Sequence, residues 1–378
     1  MFTELLYMKE IQSFHQAVSD PAKAADQAER NNRKTMGYLC SYTPEEIIYA
    51  AGFHPLRLFS SRNGIFHAEN HLQTYCCSLV RGVLEDTLSG RLDFLHGAVF
   101  PHTCDSIQRL SDIWRLNTKY AFFADLVLPV KLNTESSYQY MKGVLAEFKK
   151  TLEKQIGRKI SDDDLSRAVI KFNKIRSFLE KIYELKRLDP KIISGKDLHA
   201  IVKGSMIMDR DNLPDRLEHI LTGLGNVPSP EISTGPGIVI SGSVCDSPDI
   251  YDIIEQAGGV VAGDDLCTGQ RWFESKISED ISPLEALTER LAKRMICPAK
   301  HHTAHTRCEN LVRLVKDSNA RGVVFMLLKF CDPHAFDYPY LKECLDREGI
   351  KSLLLEMDDQ SLSAGQLTTR VETFIEML

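Results

Sequence analysis

Two stretches of this 378-residue chain repeat one order of short apolar segments, helices and turns. Over 40–52 and 245–258, each stretch has a cysteine, a nearby proline, acidic residues followed by isoleucines, and a closing Ala-Gly pair. Each later has a Gly-x-Val-Phe segment that leads to a Cys-Asp pair, over 97–105 and 322–332. Such repetition indicates two copies of one structural unit. Because apolar strands alternate with helices in both, we predict α/β domains with parallel sheets.

The remaining parts of the chain are mainly helical in pattern. Residues 1–36 carry apolar positions at roughly helical spacing. In the middle of the chain, Ser161 and Asp164 resemble a capping box, and apolar residues then recur from Leu165 to Ile182 as in an amphipathic helix. We therefore predict an N-terminal helical segment, a first α/β domain, a helical region between the domains and a second α/β domain, at 1–36, 37–135, 136–225 and 226–378.

Apolar runs and their flanking turn residues predict the individual elements of the two α/β halves. The predicted strands lie at 55–59, 98–100, 238–240, 260–261, 323–328 and 353–355. The predicted helices include 44–51, 75–88, 250–257 and 364–377.

Charge and hydropathy exclude several functional classes. Lys and Arg number 46 against 52 Asp and Glu, a net charge of −6, so we expect no non-specific nucleic-acid binding. No run of 18 apolar residues is present, so we predict no membrane span. The N-terminus lacks the apolar stretch of a secretory signal. We therefore expect a cytoplasmic protein whose thiols stay reduced.

Six of the ten cysteines fall where ligands gather in parallel α/β sheets. Three follow predicted strands, two lie where an apolar segment enters a turn and one starts a helix: Cys104, Cys267 and Cys331; Cys40 and Cys297; and Cys77. Within each half they are 27 to 37 residues apart, which is too wide for a CxxC zinc ribbon or a ferredoxin motif. The spacing favours ligands that a folded scaffold brings together, although several could instead be small buried hydrophobic residues.

The other cysteines carry weaker predictions. Cys76 and Cys77 are adjacent, so at most one of the pair should face a given site. Cys308 and Cys344 lie within predicted helices, where buried packing is favoured. The sequence leaves the role of Cys245 open.

Other candidate chemistry is sparse. A zinc site could use Cys297 with three nearby histidines, but it lacks a partner pair at structural-zinc spacing; the histidines are His301, His302 and His305. Near Cys267, two carboxylates and a guanidinium could serve acid–base chemistry or anion binding, or merely ion pairing and helix capping: Asp264, Asp265 and Arg271. His102 is a candidate proton donor or a loop histidine bonded to the backbone. No P-loop and no G-x-S-x-G motif is present.

Four short segments, 38–45, 100–106, 263–267 and 329–334, resemble the 2-hydroxyacyl-CoA dehydratase and benzoyl-CoA reductase family. The resemblance extends over roughly 30–378. It implies two flavodoxin-like parallel-sheet domains that hold an iron–sulfur cluster between them, in an oxygen-sensitive enzyme of anaerobic metabolism. It also implies that a separate ATP-hydrolysing activator with its own [4Fe–4S] cluster supplies the electron. ATP hydrolysis by that partner would account for the missing P-loop.

The resemblance also implies cluster ligands. Dehydratase subunits of the family bind one [4Fe–4S] cluster through three cysteines, and the matching positions are Cys77, Cys104 and Cys331. Three further cysteines, Cys40, Cys267 and Cys297, make the pattern similar to the double-cubane [8Fe–9S] proteins. Those proteins are homodimers that reduce small molecules.

We therefore expect an ATP-dependent, low-potential reductase with a double-cubane cluster. Two alternatives stay open at this point. The chain could be a subunit of an (R)-2-hydroxyacyl-CoA dehydratase with a single [4Fe–4S] cluster, which would eliminate water through a ketyl radical. It could also be an electron carrier without catalytic activity.

Overall fold

The computed structural model describes residues 2–61, 64–226, 235–245, 249–294, 297–300, 304–358 and 364–378. Two N-terminal helices precede the first sheet: α1 (Phe2–Ser19) and α2 (Pro21–Arg30). The first sheet contains β1 (Thr35–Tyr38), β2 (His54–Arg57), β3 (Gly97–Pro101) and β4 (Phe122–Leu126). Its connections contain α3 (Glu45–Ala50), a 3₁₀ turn (Ala68–Asn70), α4 (Ser78–Leu88) and α5 (Asp105–Asn117).

Helices form the middle of the chain, and a second sheet follows. The middle helices are α6 (Glu135–Ile156), α7 (Asp162–Leu188), α8 (Gly195–Ser205) and α9 (Leu213–Leu224). The second sheet contains β5 (Gly237–Gly242), β6 (Val260–Asp265), β7 (Ala320–Leu328) and β8 (Lys351–Met357). Its helices are α10 (Asp249–Gln256), α11 (Gln270–Phe273), α12 (Pro283–Lys293), α13 (Ala304–Asp317), α14 (Asp332–Arg347) and α15 (Ala364–Glu376).

Both sheets have the same topology. The strand orders are β2-β1-β3-β4 and β6-β5-β7-β8, and every neighbouring pair is parallel. This confirms the predicted α/β class and the two parallel, flavodoxin-like sheets. In such an order the chain changes direction between the first and third strands, and the carboxyl ends of those strands border a crevice. The crevices of the two sheets lie at β1/β3 and at β5/β7.

Most strands are buried, as expected when helices cover both faces of a parallel sheet, while the edge strands β4 and β8 are only partly buried. All residues of β3 and of β6 are buried. The middle helices form a core of their own with α1, in which Phe14, Leu179 and Ile201 are fully buried. The predicted capping box at the start of α7 is present, since Ser161 and Asp164 bond each other's backbone N–H groups.

Several element limits differ from the sequence prediction. The first strand begins at Thr35, inside the segment predicted as helical, and the helix predicted from residue 75 begins at Ser78. The pattern also missed β4, an edge strand in which buried and half-buried residues alternate. Four of its five residues are apolar, so the sequence did carry a strand signal there, interrupted by Asp125. The limits of the four predicted domains stay a prediction.

One expectation about the cysteines is wrong. Cys308 of α13 and Cys344 of α14 form a disulfide, with their Cα atoms 6.0 Å apart, whereas all thiols were expected to be reduced. The two packed helices bring these residues within the distance that a disulfide spans. Cys344 is buried and Cys308 is half-buried, as packing between helices requires.

No described helix has the length and apolarity of a membrane span.

A glycine at the end of β5 gives a direct test of how closely β5 packs against β7. A Cβ at Gly242 would overlap the carbonyl oxygen of Met326 on β7. We predict that Gly242→Ala lowers the free energy of unfolding by about 1–3 kcal/mol, measured by urea denaturation. Gly143 in α6 is the control, because a Cβ there meets nothing within 4 Å. Gly143→Ala should be neutral or stabilise by about 0.5–1 kcal/mol, and equal effects of both changes would contradict the packing.

Candidate functional site

One cavity lies where the carboxyl ends of the strands of the two sheets face each other. All six predicted cysteines line this cavity. These are Cys40, Cys77 and Cys104 from the first half of the chain and Cys267, Cys297 and Cys331 from the second. The rest of the lining is mainly apolar, with Leu58, Leu79, Val80, Ile107, Val244 and Leu328 among its residues. The fold therefore brings together thiols that are remote in sequence, at the edge where parallel sheets place functional groups.

Three of the thiols lie at helix N-termini. Cys77, Cys104 and Cys331 are the N-cap residues of α4, α5 and α14. Free N–H groups and the positive end of the helix dipole are found at such positions, and both stabilise negative charge. The three helices thus present a favourable field to thiolates or to an anionic group in the cavity.

The other three cysteines lie in turns. Cys40 has φ of 62°, a left-handed conformation that is uncommon for residues other than glycine. Thr43 holds this turn through its N–H to the Cys40 carbonyl at 3.2 Å and its hydroxyl to the Leu39 carbonyl at 2.7 Å. Cys267 donates its N–H to the Ser243 carbonyl at 2.7 Å, which ties the turn after β6 to the turn after β5.

Burial controls most of the thiol pKa values. It raises the pKa of Cys77 to about 11 and that of Cys104 to about 12, and it raises the pKa of Cys331 as well. Cys267 differs, because the Cys297 thiol donates a hydrogen bond to its sulfur and lowers its pKa well below the usual range. The nearby guanidinium of Arg271 acts in the same direction. Most of these thiols are therefore protonated in the metal-free protein and must lose protons to bind a metal.

The cavity is larger than a site for one ion. It offers about 80 Å³ to the centres of water-sized molecules, whereas one water needs roughly 10–15 Å³ by the same measure. No three His, Cys, Asp or Glu side chains in the described ranges are close enough to hold a single metal ion. The sulfurs are instead spread around a shared space.

Buried cations surround the thiols without a carboxylate partner in the described ranges. Arg57 donates to the Cys267 carbonyl at 2.7 Å and Arg294 donates to the Ser41 carbonyl at 2.5 Å. Lys300 donates to the Leu128 carbonyl at 3.4 Å, and its Nζ lies 5.8 Å from the centre of the Tyr42 ring. All three are at most 3% exposed. A buried charge is costly unless it is compensated.

The donor set and its surroundings fit an anionic metal–sulfur group. The hydroxyl of Ser243 lines the cavity, is buried and has no hydrogen-bond partner among the described residues. Soft thiolates select iron–sulfur clusters and similar soft metals. Six of them, with three cations and a free hydroxyl, could hold a negatively charged cluster.

The acidic pair before Cys267 is buried, not exposed. Asp264 accepts the N–H groups of Leu266 and Gln270 and a bond from the Tyr183 hydroxyl. Asp265 pairs with Arg271 at 3.2 Å and with Arg307 at 3.3 Å. Asp264 therefore caps a turn, as the sequence allowed, while Asp265 and Arg271 form a buried ion pair rather than a surface one.

The remaining candidates lie apart from the cavity. His102 is not among the lining residues, and its Nε2 bonds Asp125 at 3.1 Å. Cys76 is buried and does not line the cavity, which agrees with the expectation for the adjacent pair. Cys245 is also buried and absent from the lining, and its N–H donates to the Thr268 hydroxyl at 3.0 Å.

The zinc alternative depended on histidines after Cys297. His301 and His302 and the side chain of His305 lie outside the described residues. Cys297 itself lines the cavity with the other five cysteines.

Comparison with known proteins identifies the family. A family model described as 2-hydroxyglutaryl-CoA dehydratase, D-component, matches residues 40–378. The chain belongs to this family. It is 26% identical to the (R)-phenyllactyl-CoA dehydratase beta subunit of Clostridium sporogenes, with 97% of each chain covered. It is also 26% identical to the beta subunit of the (R)-2-hydroxyglutaryl-CoA dehydratase of Acidaminococcus fermentans, covering 97% of this chain and 98% of that one.

A reductase is among the relatives as well. One of the subunits of the benzoyl-CoA reductase of Thauera aromatica is 26% identical, over 92% of this chain and 91% of that relative. The predicted resemblance to the dehydratase and reductase family is therefore confirmed. These three relatives are named as enzyme subunits, two of dehydratases and one of a reductase.

Sequence reasoning missed the polar residues around the thiols. Arg57 and Ser243 are remote in sequence from any cavity cysteine, so no local pattern marks them. Three others carried a signal, because Arg294 precedes a cavity cysteine by three residues and His334 and Lys300 each follow one by three. At the start of α14 that spacing places His334 on the same face as Cys331.

Asp264 predicts a pH dependence of stability. Burial raises its pKa from 3.8 to about 6 in the folded state. The unfolded chain therefore loses this proton at lower pH than the folded one, so the carboxyl contributes less stability as pH rises from about 4 to 6. We predict that the free energy of unfolding falls by about 3 kcal/mol relative to Asp264→Asn across that range and then stays level. A constant difference between the two proteins in urea unfolding at pH 4 to 7 would contradict this.

Proposed function

We propose that this chain is an ATP-dependent, low-potential reductase with a double-cubane [8Fe–9S] cluster held by Cys40, Cys77, Cys104, Cys267, Cys297 and Cys331. The observation that carries the proposal is that all six thiols line one cavity. Three of them correspond to the ligand positions of the single-cluster pattern. A single cubane would leave the other three thiols of the cavity without a function.

The charges around the cavity support an anionic group. Cluster sulfides and six thiolates carry more negative charge than the irons neutralise, and three buried cations without a carboxylate partner in the described ranges would offset it: Arg57, Arg294 and Lys300. The helix N-termini at Cys77, Cys104 and Cys331 act in the same direction. Such surroundings and the apolar lining set the reduction potential of an iron–sulfur group.

The access to the cavity suits a small substrate. Cys40, Cys104 and Cys331 are half-buried, whereas Cys77, Cys267 and Cys297 are buried. Solvent therefore reaches parts of the first three residues. When bound, the cluster would supply single electrons at low potential to a small molecule there. The chain's own part is to hold the sulfurs, exclude bulk water through the apolar lining and balance the charge.

The proposal includes a partner protein. The sequence has no P-loop, so ATP hydrolysis would belong to a separate activator that carries its own [4Fe–4S] cluster and docks transiently. The relatives are subunits of enzymes with several components, which supports the need for partners. We further propose that the protein is a cytoplasmic homodimer of anaerobic metabolism.

One alternative has direct support. The two dehydratase relatives described above are named beta subunits of 2-hydroxyacyl-CoA dehydratases and match along nearly their whole length. In that alternative the chain binds one [4Fe–4S] cluster through Cys77, Cys104 and Cys331 and acts only with a second, different subunit. A non-catalytic electron carrier would undergo redox cycling with the activator without turning over a substrate.

Iron content separates these functions. We predict about eight irons and nine sulfides per chain after anaerobic purification. Cys104→Ser and Cys331→Ser should lose most of the iron, and Cys40→Ser, Cys267→Ser and Cys297→Ser should each lose about half or more. Cys76→Ser is the matched control for Cys77→Ser, because the two are adjacent and only Cys77 lines the cavity.

The dehydratase alternative predicts a different iron count. If the protein holds about four irons and keeps all of them after the changes at Cys40, Cys267 and Cys297, the double-cubane proposal is wrong. A protein without iron would contradict both functions.

Lys300 tests the charge balance separately from the thiols. We predict that Lys300→Met stabilises the cluster-free protein by roughly 1 kcal/mol, because it removes a buried cation that lacks a carboxylate partner among the described residues. The same change should weaken iron retention during chelator challenge. Lys293→Met is the control, since that side chain is 71% exposed, and it should change neither quantity. A Lys300→Met protein that is less stable without iron and retains iron normally would show that this cation has another role.

A further inference from the structure

A buried chain of polar groups runs from Asp265 to the sulfur of Cys331. Asp265 Oδ1 is 3.2 Å from Arg271 Nε, and the terminal nitrogens of that guanidinium are 3.5 Å from His334 Nε2. His334 Nδ1 is 3.4 Å from Cys331 Sγ. Asp265, Arg271 and His334 are each at most 5% exposed. These contacts therefore link the Asp265–Arg271 ion pair to the Cys331 thiol through the His334 imidazole.

The partners of the imidazole decide where its proton lies. Arginine has only donors, so Arg271 favours a lone pair on His334 Nε2. An imidazole with a lone pair on Nε2 is neutral and carries its single N–H on the other ring nitrogen. That N–H then lies on Nδ1 and is directed at the Cys331 sulfur.

The Gly242 carbonyl is the competing partner. It also faces the His334 ring and could accept a hydrogen bond from it. However, this carbonyl already accepts a short bond from Arg271. A proton on Nε2 would also point toward the positive guanidinium, so we favour the Nδ1–H form.

We propose that His334 is a positioning residue that donates its Nδ1–H to the Cys331 sulfur and thereby raises the reduction potential of the cluster. This inference rests on the proposed function, since it requires Cys331 to be a cluster ligand. A hydrogen bond to a cluster sulfur draws negative charge from it and favours the reduced state. Arg271, which Asp265 holds in place, fixes the tautomer from the other side of the ring.

The fold supports this role with short connections. Cys331 is the N-cap of α14 and His334 lies in the first turn, so the sulfur and the imidazole share one helix face. The backbone N–H of His334 donates to the Cys331 carbonyl at 3.1 Å, which fixes the turn between the two residues. Arg271 comes from α11 and Asp265 from the end of β6, so three elements of the second half converge on this histidine.

Substitutions at His334 test the proposal through the midpoint potential of the bound cluster, followed by EPR. An asparagine amide can take the place of Nδ1–H, whereas a glutamine amide reaches the place of Nε2. His334→Leu and His334→Gln should make the reduced state roughly tenfold less favourable, which is ~59 mV for one electron. His334→Asn should restore most of the potential. His102→Leu is the control, because His102 also lies close to a cavity cysteine in sequence but bonds Asp125 instead.

A second measurement does not need the cluster. Histidine-selective ¹⁵N labelling of the cluster-free protein, with His334→Asn to assign the signal, reports which ring nitrogen carries the proton. We expect the Nδ1–H form, and Arg271→Gln should allow the Nε2–H form to appear. An Nε2–H ring in the unchanged protein would overturn the inference, as would equal potentials of the Asn, Gln and Leu variants. If the unchanged protein binds no iron, the proposed function fails, and the labelling experiment still decides the tautomer.

Discussion

The structure depends on bringing soft thiols and positive charge into one buried space. The strands of two sheets with the same order point their carboxyl ends at each other. Each half of the chain contributes three cysteines to the cavity between the sheets. Arg57, Arg294 and Lys300 are buried without a carboxylate partner in the described ranges, and an anion in the cavity would offset the cost of burying them. Fold, charge and donor chemistry thus agree on one kind of occupant, a negatively charged metal–sulfur group.

The two halves contribute to the cavity in different ways. In the first half, Cys77 and Cys104 lie at helix N-termini, and only Cys40 lies in a turn; in the second half, only Cys331 caps a helix. The equivalent of Cys40 in the repeat, Cys245, is buried outside the cavity, and Cys267 after the neighbouring strand lines it instead. The repeat therefore supplies a common scaffold, while the ligands have diverged. This divergence is what allows six thiols to meet without a symmetric site.

Much of this could be predicted from the sequence, for physical reasons. Strands that are buried on both faces leave short apolar runs, and cysteines directly after such runs, such as Cys104 and Cys331, mark the sheet edge. The edge strand β4 has a similar run, but Asp125 interrupts it and its residues alternate between buried and half-buried. The disulfide between Cys308 and Cys344 depends on how α13 and α14 face each other, and spacing along the chain does not determine that. Arg57 and Ser243 reach the cavity only through tertiary packing, so no motif could reveal them.

The most direct test of a shared cluster is crystallography of the anaerobically purified protein at the iron absorption edge. We predict one continuous group of anomalous peaks in the cavity, bonded to the sulfurs of Cys40, Cys77, Cys104, Cys267, Cys297 and Cys331. Separate iron sites, or no anomalous signal between the two sheets, would contradict the account.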